Sequence, residues 1–219
     1  MRRADDIASV VLARSGPWTD AMQLQKLLYY VQAWHLAVTD EPLFAEGIEA
    51  WKDGPVVREV WRARKEQSTR RSVNQDIDAI RLDPFASDLI DLVIARYGSM
   101  SGDELSALTH LEQPWREARG GLPDGVPCHE LISTASMAKF YRAHRQLGNR
   151  TAADLAAGGV HPGSGHEQGP VNVDEILAGL PEECEDPGED RWGGASLDSG
   201  SQYDDSGIVR DHQRAYLDT

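Results

Sequence analysis

Residues 20–40 read DAMQLQKLLYYVQAWHLAVTD, the clearest helix signal in the chain. Met22, Tyr29 and Tyr30 widen its apolar surface beyond the narrow stripe of an ordinary surface helix. A helix that is apolar on several sides needs neighbours on several sides. The segment therefore predicts the central helix of a mainly α domain, with Thr19 as its N-cap. The apolar stripe itself, at helical spacing, consists of Leu24, Leu27, Leu28, Val31, Trp34 and Val38.

Shorter helix signals lie on both sides of this segment. They share apolar residues at helical spacing and turn residues or capping motifs at their ends. The motif SGDE at 101–104 fits a capping box, in which Ser101 and Glu104 satisfy each other's exposed backbone N–H groups. The predicted helices cover residues 4–15, 84–98, 101–112, 115–119 and 135–147, the last with Thr134 as its N-cap after an extended segment at 129–133.

The segment EAWKDGPVVREVW, residues 49–61, predicts a corner between a short strand and a helix. Gly54 tolerates backbone angles that other residues avoid, and Pro55 suits the first turn of a helix because it has no N–H. The fold class is therefore mainly α, a compact helical domain with a minor short-strand element. The apolar face of the predicted helix consists of Val56, Val57, Val60 and Trp61.

Charge is distributed unevenly along the chain. Of the formal net charge of −14, residues 151–219 carry −12, with three arginines against fifteen Asp and Glu residues. Low hydrophobicity with high net charge predicts disorder. The expected organisation is a domain at 1–148 and an acidic, largely disordered extension at 149–219. Two more apolar stretches in the extension, VNVDEILAGL and GIVRDHQRAYL, are either helices that dock on a partner or neutral sequence.

Composition disfavours several classes of protein. The acidic balance argues against strong nucleic-acid binding, which needs clustered positive charge. The cysteines, Cys128 and Cys184, are far apart and predict neither a disulfide framework nor a zinc ribbon. No apolar run approaches a membrane span, so we expect a cytoplasmic protein. The candidate basic patch is Arg62, Arg64, Lys65, Arg70 and Arg71, a composition also typical of a solvated helix end.

Catalytic motifs are missing from the sequence. It has no P-loop, dinucleotide-binding glycine motif, nucleophile elbow or zinc-protease motif. His35 has no partner at metal-ligand spacing, and Cys128 and His129 are adjacent rather than arranged as nucleophile and base. We therefore expect no enzyme and no cofactor. Half-exposed aromatic residues on a compact helical domain with an acidic tail suit contacts with another protein.

Five stretches stand in order along the chain: LQKLLYYVQAWHLAV, PLF, IEAWKDGPVVREVW, ELSALTHLEQPWREAR and HELISTASMAKFYRAH. Together they resemble the Panacea domain, a SocA-like antitoxin domain that also occurs in phage-associated proteins, over residues 4–145. The resemblance implies the antitoxin of a type II toxin–antitoxin pair, which binds and neutralises a toxin protein. The alternative it implies is an adaptor that delivers the toxin to the ClpXP protease. A DNA-binding regulator of its own operon is disfavoured by charge.

The resemblance also supplies candidate partner-binding residues. We expect a contact surface around Trp51 and the Gly54-Pro55 corner, where a half-exposed tryptophan offers contact area at little entropic cost. Many residues at these motif positions are also expected to hold the fold. The acidic extension lies outside the family pattern, so neutralisation by the tail remains open. The candidates are Lys26, Tyr30, Trp34, Glu49, Trp51, Lys52, Gly54, Pro55, Val56, His110 and Trp115.

Overall fold

The computed structural model describes residues 2–16, 19–69 and 80–158. The chain divides into two units, residues 1–180 and 181–219, and every described residue belongs to the first. The predicted disordered extension from residue 159 onward lies outside the described residues, as do positions 70 and 71 of the basic run. The elements of the described parts are α1 (Ala4–Ser15), α2 (Ala21–Thr39), β1 (Glu49–Trp51), β2 (Gly54–Val56), α3 (Arg58–Thr69), α4 (Pro84–Tyr97), α5 (Gly102–His110), α6 (Gln113–Arg119), α7 (Thr134–His144) and α8 (Ala152–Gly158).

The central position predicted for α2 is confirmed. Every residue from Gln23 to Ala37 is buried, because α1, α4, α5, α7, α8 and β2 all pack against this helix. The predicted N-cap is wrong by one residue. Asp20 caps the helix, and its carboxylate accepts the backbone N–H of Gln23 at 2.6 Å. The helix dipole favours a carboxylate at this position. The Thr19 hydroxyl instead donates to the hydroxyl of Ser15.

The mainly α fold class is confirmed, and so are the helices at 4–15 and 84–97. α5 begins with the predicted capping box. The Ser101 hydroxyl accepts the backbone N–H of Glu104, and the Glu104 carboxylate accepts the backbone N–H of Ser101. The N-cap of α7 is Ser133 rather than the predicted Thr134, because the Ser133 hydroxyl accepts the N–H of Ser136. α7 ends at residue 144, three residues before the predicted end.

The Gly-Pro segment is not the strand-to-helix corner that the sequence predicts. Residues 52 and 53 form the turn of an antiparallel hairpin, and Gly54 and Pro55 belong to its second strand. Pro55 lies opposite Ala50, at a position of the register whose N–H points away from β1, so its missing donor costs no bond of the ladder. Helix α3 begins three residues later than predicted, at Arg58.

A final short helix follows α7. Residues 152–158, which the sequence analysis placed in the acidic extension, form α8 and pack on α2 and α7. Leu155 is fully buried there, and the Thr151 hydroxyl accepts the Asp154 N–H at the start of the helix. The sequence missed α8 because one buried leucine among alanines is a weak periodic signal. The division at residue 148 itself stays a prediction.

Candidate functional site

Most of the predicted partner-binding residues lie inside the protein. Trp51 is only 3% exposed, so the prediction of a half-exposed tryptophan is wrong. Its ring is covered by side chains from α3 and from the chain before α7. Whether the candidate residues touch a partner stays a prediction. Buried are Lys26, Tyr30, Trp34, Trp51, Gly54, Pro55, Val56 and Trp115, whereas Glu49, Lys52 and His110 are half-buried.

Lys26 extends from α2 into the space beneath the hairpin. Its side chain is 1% exposed, and Nζ donates to the carbonyl oxygen of Pro55 at 3.3 Å. Burial lowers the pKa of Lys26 to about 7, against the opposing effect of the Asp53 and Asp20 carboxylates. The neighbouring Gln25 accepts the backbone N–H that follows β2, at 2.8 Å. Two side chains of α2 therefore hold the second strand in place.

Gly54 is required by this arrangement for two reasons. Its φ of +98° lies in the region that favours glycine. A Cβ at this position would also lie 2.7 Å from Cε of Lys26 and 2.8 Å from Oγ1 of Thr109. The close approach of the hairpin to α2 and α5 therefore depends on the absence of a side chain.

Helices α5 and α6 support the hairpin from below. His110 stacks on Trp115 with ring centroids 4.1 Å apart, and Trp115 Nε1 donates to the carbonyl oxygen of Trp51 at 3.0 Å. Burial and the nearby Lys26 ammonium lower the pKa of His110. The Ser106 hydroxyl lies 3.5 Å from His110 Nε2 but donates to the Asp53 carbonyl at 2.8 Å. This serine–histidine pair therefore holds the hairpin and does not form an activated nucleophile.

The opposite face of the hairpin carries a hydrogen-bonded cluster around Glu49. This carboxylate accepts Trp51 Nε1 at 2.7 Å and Arg58 Nε at 2.5 Å, and Arg58 Nη2 also bonds to it. Arg58 donates in addition to Nδ1 of His129, which lies 3.2 Å from the same carboxylate. Although burial opposes the change, the bonds from Arg58 and Trp51 lower the pKa of Glu49. The cluster joins β1, α3 and the chain before α7.

Aromatic and cationic groups surround this cluster at the surface. The Trp51 ring makes edge contacts with Trp61 and His129, each at 5.4 Å between centroids. Lys65 Nζ lies 4.9 Å from the centroid of Trp61, and the Arg58 guanidinium lies 5.6 Å from that of Trp51. We call the partly exposed residues of this face, Glu49, Arg58, Trp61, Lys65 and His129, the Glu49 face.

The chain before α7 pairs with the two-stranded hairpin through one isolated antiparallel bridge. Ala50 N–H donates to Glu130 O at 2.9 Å, and Ile132 N–H donates to Ile48 O at 2.8 Å. Leu131 thereby stands opposite Glu49 in an antiparallel bridge. The extended segment predicted at 129–133 is thus paired with the sheet, which sequence alone did not indicate.

A buried polar network escaped the sequence analysis. Glu112 is fully buried and accepts the hydroxyls of Tyr29 at 2.9 Å and Tyr141 at 2.8 Å, while Arg145 donates to its other oxygen at 3.0 Å. Burial raises the pKa of Glu112, and the Arg145 guanidinium opposes this shift. The pairing of Glu112 with residues 83 positions before it and 33 after it leaves no local signal. The network ties α2, α7 and the turn before α6 together.

No group of three or more His, Cys, Asp and Glu residues that suits a metal ion occurs in residues 2–16, 19–69 and 80–158. No helix in these parts of the chain is long and apolar enough to cross a membrane.

Comparison with known proteins identifies part of the chain. No curated protein and no solved structure matches it. Residues 24–116 match the family model described as "Antitoxin SocA-like, Panacea domain". This span runs from α2 through the hairpin into α6 and contains all the candidate partner-binding residues. The resemblance read from the sequence is thereby confirmed over residues 24–116, the part of the chain that matches the SocA-like antitoxin family.

Proposed function

We propose that this chain is the antitoxin of a type II toxin–antitoxin pair and neutralises its toxin by direct contact. The match of residues 24–116 to an antitoxin family is the observation that supports this function. The geometry favours binding over catalysis, because the polar residues beneath the hairpin are engaged in bonds that hold it.

The Glu49 face is the contact surface that we propose. It combines a guanidinium, an ammonium and a tryptophan ring of α3 with the Glu49 carboxylate of the hairpin, which accepts hydrogen bonds from Trp51 and Arg58. Tryptophan and arginine are the residue types that most often dominate binding energy when a partner excludes water from them. Because bonds within the protein already fix Arg58, little side-chain entropy is lost when a partner covers it.

Co-expression tests the function. The open reading frame adjacent to this gene is induced alone and together with the full chain. We expect growth arrest in the first case and growth in the second. The toxin's level in the rescued cells, measured with and without ClpXP, separates sequestration from delivery to the protease. A stable toxin supports direct neutralisation, and a level that falls only when ClpXP is present supports the adaptor alternative.

Charge reversal tests the surface. We expect Arg58→Glu to weaken binding of that toxin at least tenfold, because it removes a cation and leaves two carboxylates adjacent. Lys52→Glu in the hairpin turn is expected to weaken it less. Lys139→Glu, on an exposed position of α7, is the matched control for the change in net charge. Equal affinity of all three variants with intact folds would exclude the Glu49 face.

The acidic extension is tested by truncation. Deletion should begin at residue 159 and not at the predicted boundary, because α8 buries Leu155 against the domain. If residues 1–158 neutralise the toxin as well as the full chain does, the folded part carries the function. If neutralisation is lost, the tail supplies an essential contact.

A further inference from the structure

The bridged segment at residues 130–132 leaves an open edge of backbone hydrogen-bonding groups. Glu130 O and Ile132 N–H point toward β1, because both bond to it. The N–H and C=O of Leu131, between them, therefore point away from the sheet. Neither group has a backbone partner among the described residues. An edge of this kind is a template for a further strand from another chain.

The Leu131 side chain lies at the same edge. It is 64% exposed, the most exposed of the large apolar residues in the described parts of the chain. The side chain covers Gly47, where a Cβ would lie 2.7 Å from Leu131 Cδ2. A leucine lying across a glycine forms a low apolar surface on which a partner's side chain can pack. A strand paired at Leu131 would therefore gain apolar contact as well as backbone bonds.

Other exposed apolar residues lie in the same connection between α6 and α7. Leu122 and Val126 are exposed there, and with Leu131 they make up three of the four exposed large apolar residues of the described chain. Single exposed apolar residues are ordinary, and these three add exposed apolar area to the connection that carries the edge. Val126 and Leu131 are separated by no more than about 18 Å along the backbone.

This connection is held in shape from beneath. Arg119 is buried, and Nη2 donates to the carbonyl oxygens of Pro123 at 2.8 Å and Val126 at 2.7 Å. Its guanidinium lies 4.7 Å from the centroid of Trp115. A connection that is ordered before binding loses less conformational entropy when a partner covers it.

The charges beside the edge specify what kind of strand fits. On the face that Leu131 shares with Glu49, the cations are Arg58 and Lys65, and Glu49 is the facing carboxylate. The balance is therefore positive and complements a partner segment that carries a carboxylate.

We infer that the edge at Leu131 accepts an extended segment of a partner protein, which adds a strand to the hairpin sheet and carries an apolar residue over Leu131 and an acidic residue toward Arg58. The inference rests on the proposed function only for the source of that segment, which is then the toxin. The edge lies after residue 116 and thus outside the matched family span.

A displayed library of random 12-residue linear peptides, selected on the full chain, tests the inference without any knowledge of the toxin. We expect selected peptides to contain alternating apolar residues and an acidic residue. On binding, amide hydrogen exchange at Leu131, followed by NMR, should slow at least tenfold. If no selected peptide slows exchange at Leu131, the inference is wrong.

Two substitutions separate backbone pairing from side-chain contact. Leu131→Pro removes the outward N–H and should weaken the selected peptides at least tenfold, whereas Leu131→Ala keeps the N–H and should weaken them less. Thermal unfolding checks that both variants are folded. Equal binding by wild type and Leu131→Pro would overturn strand pairing. If the proline variant does not fold, the exchange measurement on the wild type still decides.

Two further outcomes concern the source of the strand. Slow exchange at Leu131 in the isolated full chain, lost when residues 159–219 are deleted, would show that the chain's own tail occupies the edge and would overturn a partner as its occupant. If the adjacent reading frame encodes no toxin but peptides protect Leu131, the proposed function fails and the strand-accepting edge stands. If Leu131→Pro rescues growth normally and selected peptides bind elsewhere, the inference alone fails.

Discussion

Lys26→Met should change how stability depends on pH. Lys26 has a lowered pKa because it is buried beneath the hairpin with one carbonyl acceptor. The folded protein therefore holds the Lys26 proton less tightly than the unfolded chain does. Where the unfolded state binds more protons, the free energy of unfolding rises with pH. Stability should thus rise from the folded pKa of about 7 toward the unfolded value of 10.5.

The magnitude follows from these two pKa values. Their difference corresponds to about 5 kcal/mol in total, of which about 2 kcal/mol falls between pH 7 and pH 9. Other described groups with shifted pKa values act outside this window. Burial lowers the pKa values of His35 and His110 from the ordinary value of 6.5, so these histidines change the stability mainly below pH 7. Burial raises the pKa values of four core tyrosines above the ordinary value of 10.0, so these tyrosines change the stability mainly above pH 9. They are Tyr29, Tyr30, Tyr97 and Tyr141.

Urea unfolding at pH 7, 8 and 9 measures the effect. Wild type should gain about 2 kcal/mol over this range, and Lys26→Met should lose most of that gain. Lys52→Met, in the turn of the same hairpin, is the matched control and should keep the wild-type slope. A flat wild-type profile, or a Lys26→Met profile as steep as that of wild type, would refute the assignment of a deprotonating lysine beneath the hairpin.

Two further substitutions test the packing by chemical denaturation. Glu112→Gln should destabilise by about 3–5 kcal/mol, because it leaves the buried Arg145 cation without its carboxylate; Glu117→Gln, exposed on α6, should cost far less. Gly54→Ala should cost about 2–4 kcal/mol, because strain at positive φ adds to a clash with Lys26. Gly121→Ala also lies at positive φ but has open space around its Cβ, so losses of equal size for the two glycines would contradict the close-approach argument.

Apolar periodicity predicted the helices well, because α2 carries its burial pattern along its own sequence. Residues 22–31 carry apolar side chains on more than one face of the helix, which indicated neighbours on several sides. Every residue from 23 to 37 is indeed buried. The capping box at 101–104 was equally readable, since both partners lie within one turn. Capping positions shifted by one residue at α2 and α7, because adjacent Thr, Asp and Ser residues offer competing acceptors.

The hairpin and the candidate site were harder to predict, because they depend on contacts between distant residues. Gly54-Pro55 has the local sequence of a helix start. It forms a strand instead, because Lys26, Gln25 and Ser106 of other helices hydrogen-bond to the backbone of the hairpin and of the residue after it. The burial of Trp51 likewise depends on α3 and on His129. The open edge at Leu131 exists only because residues 130–132 pair with residues 48–50, which lie 80 to 84 positions earlier in the chain.

The most direct test of the central claim is growth of cells that express the adjacent reading frame together with residues 1–158 of this chain, compared with the full chain. We expect the neighbour to arrest growth when expressed alone. We also expect residues 1–158 to restore growth and to copurify with an undegraded toxin. A harmless neighbour, or arrest that persists with the full chain, would contradict the antitoxin function. Rescue by the full chain but not by residues 1–158 would contradict neutralisation by the folded domain.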